Sequence, residues 1–142
     1  DYIHSVERIS KLSNVISING GVQLDLMGQE NAESVGTRQL SGIGGQMDFL
    51  EGAFRSKGGK GFICINSSRV TKDGQRKSNI LATIPGGSTI SAPRTMIQYV
   101  ATEYGIASLS GKTLRERAEA MASIAHPDFR EELLKYAREN FK

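Results

Sequence analysis

The run Gly61-Phe-Ile-Cys-Ile-Asn66 ("GFICIN") constrains the fold more than any other stretch of the chain. It is apolar on successive residues, and glycines and polar residues close it off on both sides ("SKGGKG" before, "NSS" after). A half-exposed strand alternates apolar and polar residues, whereas a continuous run fits a strand of the parallel-sheet kind, covered on both faces. The neighbouring patterns agree. "NVISING" (14–20) and "GVQLDLMG" (21–28) read as two short strands meeting at Gly20-Gly21, with Val22, Leu24 and Leu26 alternating with Gln23, Asp25 and Met27. "TMIQYVATEYG" (95–105) starts as another buried strand through Ile97, Tyr99 and Val100. "NILATI" and "STISAP" are short extended pieces around Pro85-Gly86-Gly87.

Helices are expected between and after these strands. One should begin at Gly45, with an uneven apolar face of Met47, Phe49, Leu50 and Phe54, and end at "SKGGKG". Thr113 precedes Glu116 by three residues, a capping-box spacing, and Leu114, Ala118, Met121 and Ala125 then share a face. Pro127 suits the first turn of a last helix, whose apolar face is Phe129, Leu133, Tyr136, Ala137 and Phe141. Strands alternating with helices indicate an α/β layered fold.

At 142 residues the chain reads as one domain with room for a hydrophobic core. No apolar run approaches the roughly 20 residues that span a bilayer, so no membrane partner is expected. The start, "DYIHSVERIS", has no signal or transit pattern and no initiating methionine, which suggests a piece of a larger protein. The single cysteine, Cys64, excludes an internal disulfide framework; inside "GFICIN" it reads as a small apolar filler rather than a reactive thiol, in a reducing cytoplasm. His4 and His126 form no visible triad, and no paired histidines stand at metal-ligand spacing, so no metal is expected.

Charge is unevenly spread. Residues 55–77 carry seven cationic side chains against Asp73 alone, leaving eleven cationic and fourteen anionic residues elsewhere. Such a stretch is either a solvated loop or the contact for a phosphate-bearing partner. Nucleic acid is not expected, because Phe62 is the one aromatic there and single-strand binders interleave several.

Three places could carry chemistry. The loop Ser41-Gly-Ile-Gly-Gly-Gln-Met-Asp-Phe49 puts Gly42, Gly44 and Gly45 ahead of a helix start, where amides favour anions and a missing Cβ admits a ligand. It is neither G-x-G-x-x-G nor a P-loop, and the pattern alone favours a plain structural turn over ligand contact. Glu103, in "TEYG", stands at the end of an expected strand, where α/β sheets bind ligands; a surface glutamate starting a turn is the alternative. The polar loop "GQENAES" (28–34) offers amide side chains, Asn31 among them, that suit a carbonyl or carboxylate, or are simply loop residues. All of it lies in a long segment, 28–44, of the kind that is functional or mobile.

Taken in order, "INGGVQLDLMGQENAES", "SGIGGQMDF", "TEYGIASLSGKTLRERAEA" and "IAHPDFREEL" resemble the C-terminal module of the acetyl-CoA hydrolase/transferase family, over roughly residues 8 to 140. The resemblance implies a CoA-transferase-like three-layer α/β/α sandwich with a largely parallel sheet. It implies coenzyme A, as acyl-CoA substrate, with a short carboxylate as the second substrate. The family's chemistry runs through a glutamyl-CoA thioester, whose oxyanions a backbone amide stabilises. That amide falls on Gly45, with Gly44 as alternative, and the family's active-site T-E-x-G glutamate falls on Glu103. Gly42, Gly44, Gly45, Asn31 and Lys72 become the CoA-contacting candidates, with Arg69 competing for the place of Lys72.

Two departures accompany the resemblance. The family's nucleophilic glutamate lies upstream of this module, so none of the fifteen acidic residues here takes that role. The family's Asn-Pro before the first strand is Ser5-Val6 here. The expectation is thus the C-terminal part of a CoA-transferase moving CoA between acetate-, butyrate- or 4-hydroxybutyrate-type acyl groups, inactive alone, partnered by the N-terminal half of the same enzyme and homo-oligomeric. An acyl-CoA hydrolase of the same family and a non-catalytic CoA- or nucleotide-binding module are the alternatives.

Overall fold

The structure, a computed structural model, describes residues 2–142. In chain order the elements are α1 (Val6–Lys11), β1 (Ile16–Gly20), β2 (Gln23–Asp25), β3 (Glu30–Asn31), β4 (Ser34–Val35), β5 (Arg38–Gln39) and α2 (Gln46–Arg55). There follow β6 (Lys60–Cys64), β7 (Ser68–Val70), β8 (Arg76–Ser78), β9 (Ile80–Leu81), β10 (Tyr99–Thr102), β11 (Gly105–Ser108), α3 (Leu114–Ser123) and α4 (Pro127–Asn140). The main sheet has the order β1-β6-β10-β11. Its first three strands are parallel, with Ile18 opposite Phe62 and Phe62 opposite Tyr99; β11 returns antiparallel to β10. A smaller sheet, β3-β2-β9, and two hairpins, β4-β5 and β7-β8, complete the strands.

Residues directly opposite across paired strands share a face. Ser17, Gly61, Ile63, Val100 and Ala107 therefore point one way, and all are buried. Leu50 of α2 and Ala118 and Met121 of α3 join Ile63, Val100 and Ala107 in a single core with Leu24 and Ile80 of the smaller sheet. The opposite face holds Ile16, Ile18, Phe62, Cys64, Tyr99 and Ile106. Ile18 is 68% and Ile106 63% exposed. Phe62 and Tyr99 stack on each other at 4.9 Å between ring centroids.

This corrects one expectation. "GFICIN" is apolar throughout but only alternate residues are inward, so Cys64 is exposed rather than a core filler. The fold is mixed α/β, with parallel pairing through β1, β6 and β10 and antiparallel pairing at β11 and in the hairpins. Sequence pattern reports what a strand will meet in the finished protein, and one side of this sheet meets nothing here.

The helix signals hold at the C-terminus. Thr113 and Glu116 form a reciprocal capping box, and Pro127 opens α4 behind His126, whose Nδ1 accepts the Asp128 amide. Leu114, expected inside, is instead exposed, while Ala118, Met121 and Ala125 are buried. α1 was not anticipated; Ser5 caps it, and it packs on α2 through Ile9, which lies where a side chain on Gly52 would. No helix among the described residues is long and apolar enough to cross a membrane.

One buried cation ties the halves together. Arg117, on α3, donates from Nε to the Met27 carbonyl at 2.7 Å, from Nη1 to Leu109 at 2.8 Å and from Nη2 to Arg94 at 2.7 Å. Three chain segments that share no strand pairing are thus held by one planar guanidinium, a geometry that a lysine cannot match. Burial lowers its pKa, nearby Arg94 adds to that, and Asp25 opposes it. Arg117→Ala should leave three carbonyls short of a donor, at about 1–3 kcal/mol for each one left buried and unpaired. Urea unfolding should show a loss of more than about 2 kcal/mol, and Arg117→Lys should recover only part of it.

Candidate functional site

Parallel strands end on the same edge of a sheet, and ligands of α/β proteins bind beyond that edge. Here β1, β6 and β10 end beside a cleft of about 410 Å³ lined by Gly21, Cys64, Ile65, Asn66, Ala101 and Thr102. A larger hollow, about 640 Å³, lies along α1 between Tyr2, Ile3, Leu12 and Phe49. Its Lys11 pairs with Glu7 and its Arg8 lies over the Tyr2 ring. The strand-edge cleft is the better chemical candidate.

Glu103 sits at the end of β10, in the two-residue turn to β11, rather than at a strand end leading into a loop. Its carboxylate accepts the Ser67 amide at 2.9 Å and the Ser67 hydroxyl at 2.6 Å. Partial burial pushes its pKa up, but the two Ser67 bonds and the nearby His126 outweigh that and hold it below the ordinary value. It is therefore an ionised acceptor at neutral pH, not a proton donor. Tyr104 beside it meets His126 edge-on, and Arg130 lies over the Tyr104 ring.

The glycine loop precedes α2. Gly44 has φ +60°, a left-handed conformation that suits glycine, and nothing lies within 4 Å of where its Cβ would be. Gly42 is equally open. Gly45 is the N-cap of α2, with no side chain capping the first turn. A Cβ on Gly45 would fall 2.5 Å from the ring of His4, an exposed side chain that can turn aside, and the Gly45 φ of −92° is open to other residues. A substitution at Gly44 strains the backbone, whereas one at Gly45 must displace the His4 ring, so the two positions probe the loop in different ways.

Behind the loop is a group that sequence reasoning missed. Gln46, the first residue of α2, is buried and donates its Nε2 to Glu30 Oε2 in a short hydrogen bond. Glu30 is wholly buried, and its Oε1 has no partner among the described residues. That oxygen lies 2.8 Å from where a Cβ on Gly21 would be, and Gly21 lines the cleft. Burial, offset in part by the Gln46 bond and reinforced by nearby Glu33, pushes the Glu30 pKa up to about 8. The acid is neutral at pH 7. A glutamate in a polar loop reads as solvated, and only the pairing of β2 with β3, which sets Glu30 opposite Leu24, turns it inward. Ser67 was missed for a similar reason: nothing local marks it as the partner of a residue 36 positions away.

Asn31 is also wholly buried. Its Oδ1 accepts the amides of Glu33 and Ser34, and its Nδ2 donates to the Ser34 carbonyl, so its amide shapes the loop from within. Lys72 stands exposed in the turn between β7 and β8, where Thr71 bonds Asp73 and the Gln75 carbonyl. Arg69 is committed to Asn79 Oδ1 at 2.5 Å. The fold thus links the glycine loop to the cleft through Gln46, Glu30 and Gly21, sets Glu103 beside the cleft through Ser67, and carries Lys72 outward on a hairpin. Among the described residues no three His, Cys, Asp or Glu side chains converge as a metal site requires.

Comparison with known proteins bears on this arrangement. A family model described as Acetyl-CoA hydrolase/transferase C-terminal domain matches residues 1–137. The butyryl-CoA:acetate CoA-transferase of Anaerostipes caccae is 47% identical over 137 residues, 96% of this chain and 31% of that protein. The 4-hydroxybutyrate coenzyme A transferase of Clostridium kluyveri is 47% identical over 141 residues, 99% of this chain and 32% of that protein. Among solved structures, 4-hydroxybutyrate CoA-transferase from Porphyromonas gingivalis aligns with a TM-score of 0.77 at 40% identity, over 99% of this chain and 30% of that one. The chain spans about a third of the length of the curated relatives it matches.

The buried acid makes a measurable pH dependence. Its folded pKa lies above its unfolded value, so its contribution is fully present below pH 4.5 and is lost as the pH rises to about 8. Across that window stability should fall with a slope of up to about 1.4 kcal/mol per pH unit from this one group. Glu30→Gln, which keeps an oxygen for Gln46, should flatten the slope. Urea unfolding of both forms at pH 5, 6.5 and 8 checks it; parallel pH profiles would mean that Glu30 titrates normally.

Proposed function

Because the chain belongs to the acetyl-CoA hydrolase/transferase family, as its C-terminal domain, we propose that it forms one side of a CoA-transferase active site. The carboxylate that attacks the acyl-CoA thioester would come from the other two-thirds of the enzyme. The observation that carries the reading is the glycine loop: an open Gly44 at φ +60° and an uncapped α2 N-terminus, connected through Gln46 and Glu30 to the strand-edge cleft.

In the first step the glutamate oxygen adds to the thioester carbonyl, the C–S bond breaks, and CoA thiolate leaves an acyl-glutamyl anhydride. The thiolate then attacks the glutamyl carbonyl and expels the acyl group as a carboxylate, leaving glutamyl-CoA; a second carboxylate reverses both steps. Each addition places negative charge on a carbonyl oxygen. The Gly44 and Gly45 amides, at a helix N-terminus, are suited to receive it. Glu103, held ionised by Ser67, would act as a fixed acceptor that orients a donor on CoA or on the second substrate. Lys72, on the projecting hairpin, supplies a mobile cation for CoA phosphate, with Arg69 and Asn79 stiffening the hairpin base. Asn31 keeps the 28–34 loop in shape rather than touching CoA.

The bare sheet face fits the same reading. Ile16, Ile18, Phe62, Tyr99 and Ile106 form an apolar patch of the kind that marks an interface. We assign it to the remaining part of the enzyme, whose packing would complete the three-layer sandwich, with assembly into a homo-oligomer in a reducing cytoplasm, where the exposed Cys64 stays a thiol.

Three measurements test this. The 142-residue chain alone should not transfer CoA from acyl-CoA to acetate, whereas the complete enzyme should; ordinary turnover by the chain alone would overturn the reading. In the complete enzyme Gly44→Ala, strained by the left-handed backbone, should lower kcat about 100-fold or more if the loop supplies the oxyanion donor. Unchanged kcat would remove the loop from the site. Ile18→Asp or Ile106→Asp in the complete enzyme should cost more than about 2 kcal/mol of stability, because a covered face would bury the charge. A change within about 0.5 kcal/mol would show that the face meets solvent.

A further inference from the structure

Glu30 has no place in the chemistry above, yet it is buried beneath the loop that does. It leaves the 28–34 loop pointing into the gap between the two sheets, and its backbone is fixed at both ends. The Glu30 amide donates to the Ala92 carbonyl at 3.0 Å, and its carbonyl accepts the Ser91 amide at 2.8 Å. One carboxyl oxygen receives Gln46 Nε2, and the other lies against Gly21, where Ile63 and Ile65 also crowd in. Gly21 in turn is tied to the end of β6, its amide donating to the Cys64 carbonyl at 3.2 Å. The contacts run from the cleft wall, through one side chain, to the first residue of α2.

We infer that Glu30 is a positioning residue, which sets the glycine loop by holding Gln46, and with it the start of α2, in register with the carboxyl edge of the sheet. α2 lacks a side-chain cap, so nothing on its N-cap residue fixes the angle of its first turn. Gln46 follows Gly45 directly, and moving it moves the Gly44 and Gly45 amides. An oxyanion donor must be held within about 0.5 Å of its working position, and packing plus hydrogen bonding behind it is what holds it there.

Gln46 donates to either form of the acid, and it is burial that opposes the charged one. Ionised, Glu30 would be a charge in a wall of Gly21, Ile63, Ile65 and Gln46, with Glu33 as a like charge nearby and no cation against it among the described residues. Such a charge would draw in water or shift the loop. The burial that raises its pKa to about 8 keeps the neutral form at physiological pH and gives the device an alkaline limit.

The consequence for turnover rests on the proposed CoA transfer; the consequence for loop order does not. Two readouts in the complete enzyme separate them. Hydrogen exchange over residues 41–50 should quicken about tenfold in Glu30→Ala and in Gln46→Ala, while peptides from α3 and α4 stay unchanged. Glu30→Gln, whose amide oxygen still accepts from Gln46, should stay within about twofold of wild type. Exchange unaltered in both alanine variants, or as fast in Glu30→Gln as in Glu30→Ala, would overturn the inference. For turnover, kcat of wild type should decline above about pH 8, and that limb should vanish in Glu30→Gln. An enzyme without CoA transfer would sink the proposed function, and the exchange data would still decide the role of Glu30.

Discussion

The parallel pairing of β1, β6 and β10 is the constraint on which the rest depends. Three strands running the same way must end on one edge, and this brings Gly20-Gly21, the 64–67 segment and Thr102-Glu103 together from positions more than 80 residues apart in the chain. The connections then have no choice but to cross the buried face, with α2 between β1 and β6. The glycine loop is the approach to that crossing. A hairpin-connected sheet of the same residues would scatter the cleft, Glu103 and the loop to opposite ends.

Two buried polar side chains keep this frame, in different ways. Arg117 gives its donors to three carbonyls and holds α3, the β11 exit and the 94 region together, a purely structural service. Glu30 is under-satisfied: one oxygen bonded, one not. The unpaired oxygen carries a cost, since a buried polar atom without a partner costs on the order of 1–3 kcal/mol. Its position under the glycine loop gives that cost a purpose, whereas Arg117 needs no purpose beyond the fold.

What could be read from the sequence follows physical range. Signals that act within a few residues were legible: the Thr113–Glu116 capping box, Pro127 at a helix start, and the glycine loop before α2. Signals set by tertiary pairing were not. Glu30 and Ser67 acquire their character from partners 16 and 36 residues away. β11 was hidden because Gly105, at φ +136°, turns the chain back after only two residues. Cys64 and Ile18 mislead in the opposite sense: their apolar pattern reads as buried, and both are exposed in this chain. The order of the motifs, spread over nearly the whole length, carried the family resemblance.

The same asymmetry runs through the site. This chain has amides aimed outward, a fixed carboxylate in Glu103, and a cation on a hairpin, but its one acid with a strongly raised pKa is sealed in the interior behind Gln46. The proposed covalent mechanism takes its nucleophile from elsewhere in the enzyme. The decisive measurement is peptide mapping of the complete enzyme after incubation with acyl-CoA and rapid quenching. The account requires the CoA adduct on a glutamate outside residues 1–142. An adduct on Glu103, or on any other of the fifteen acidic residues of this chain, would contradict it.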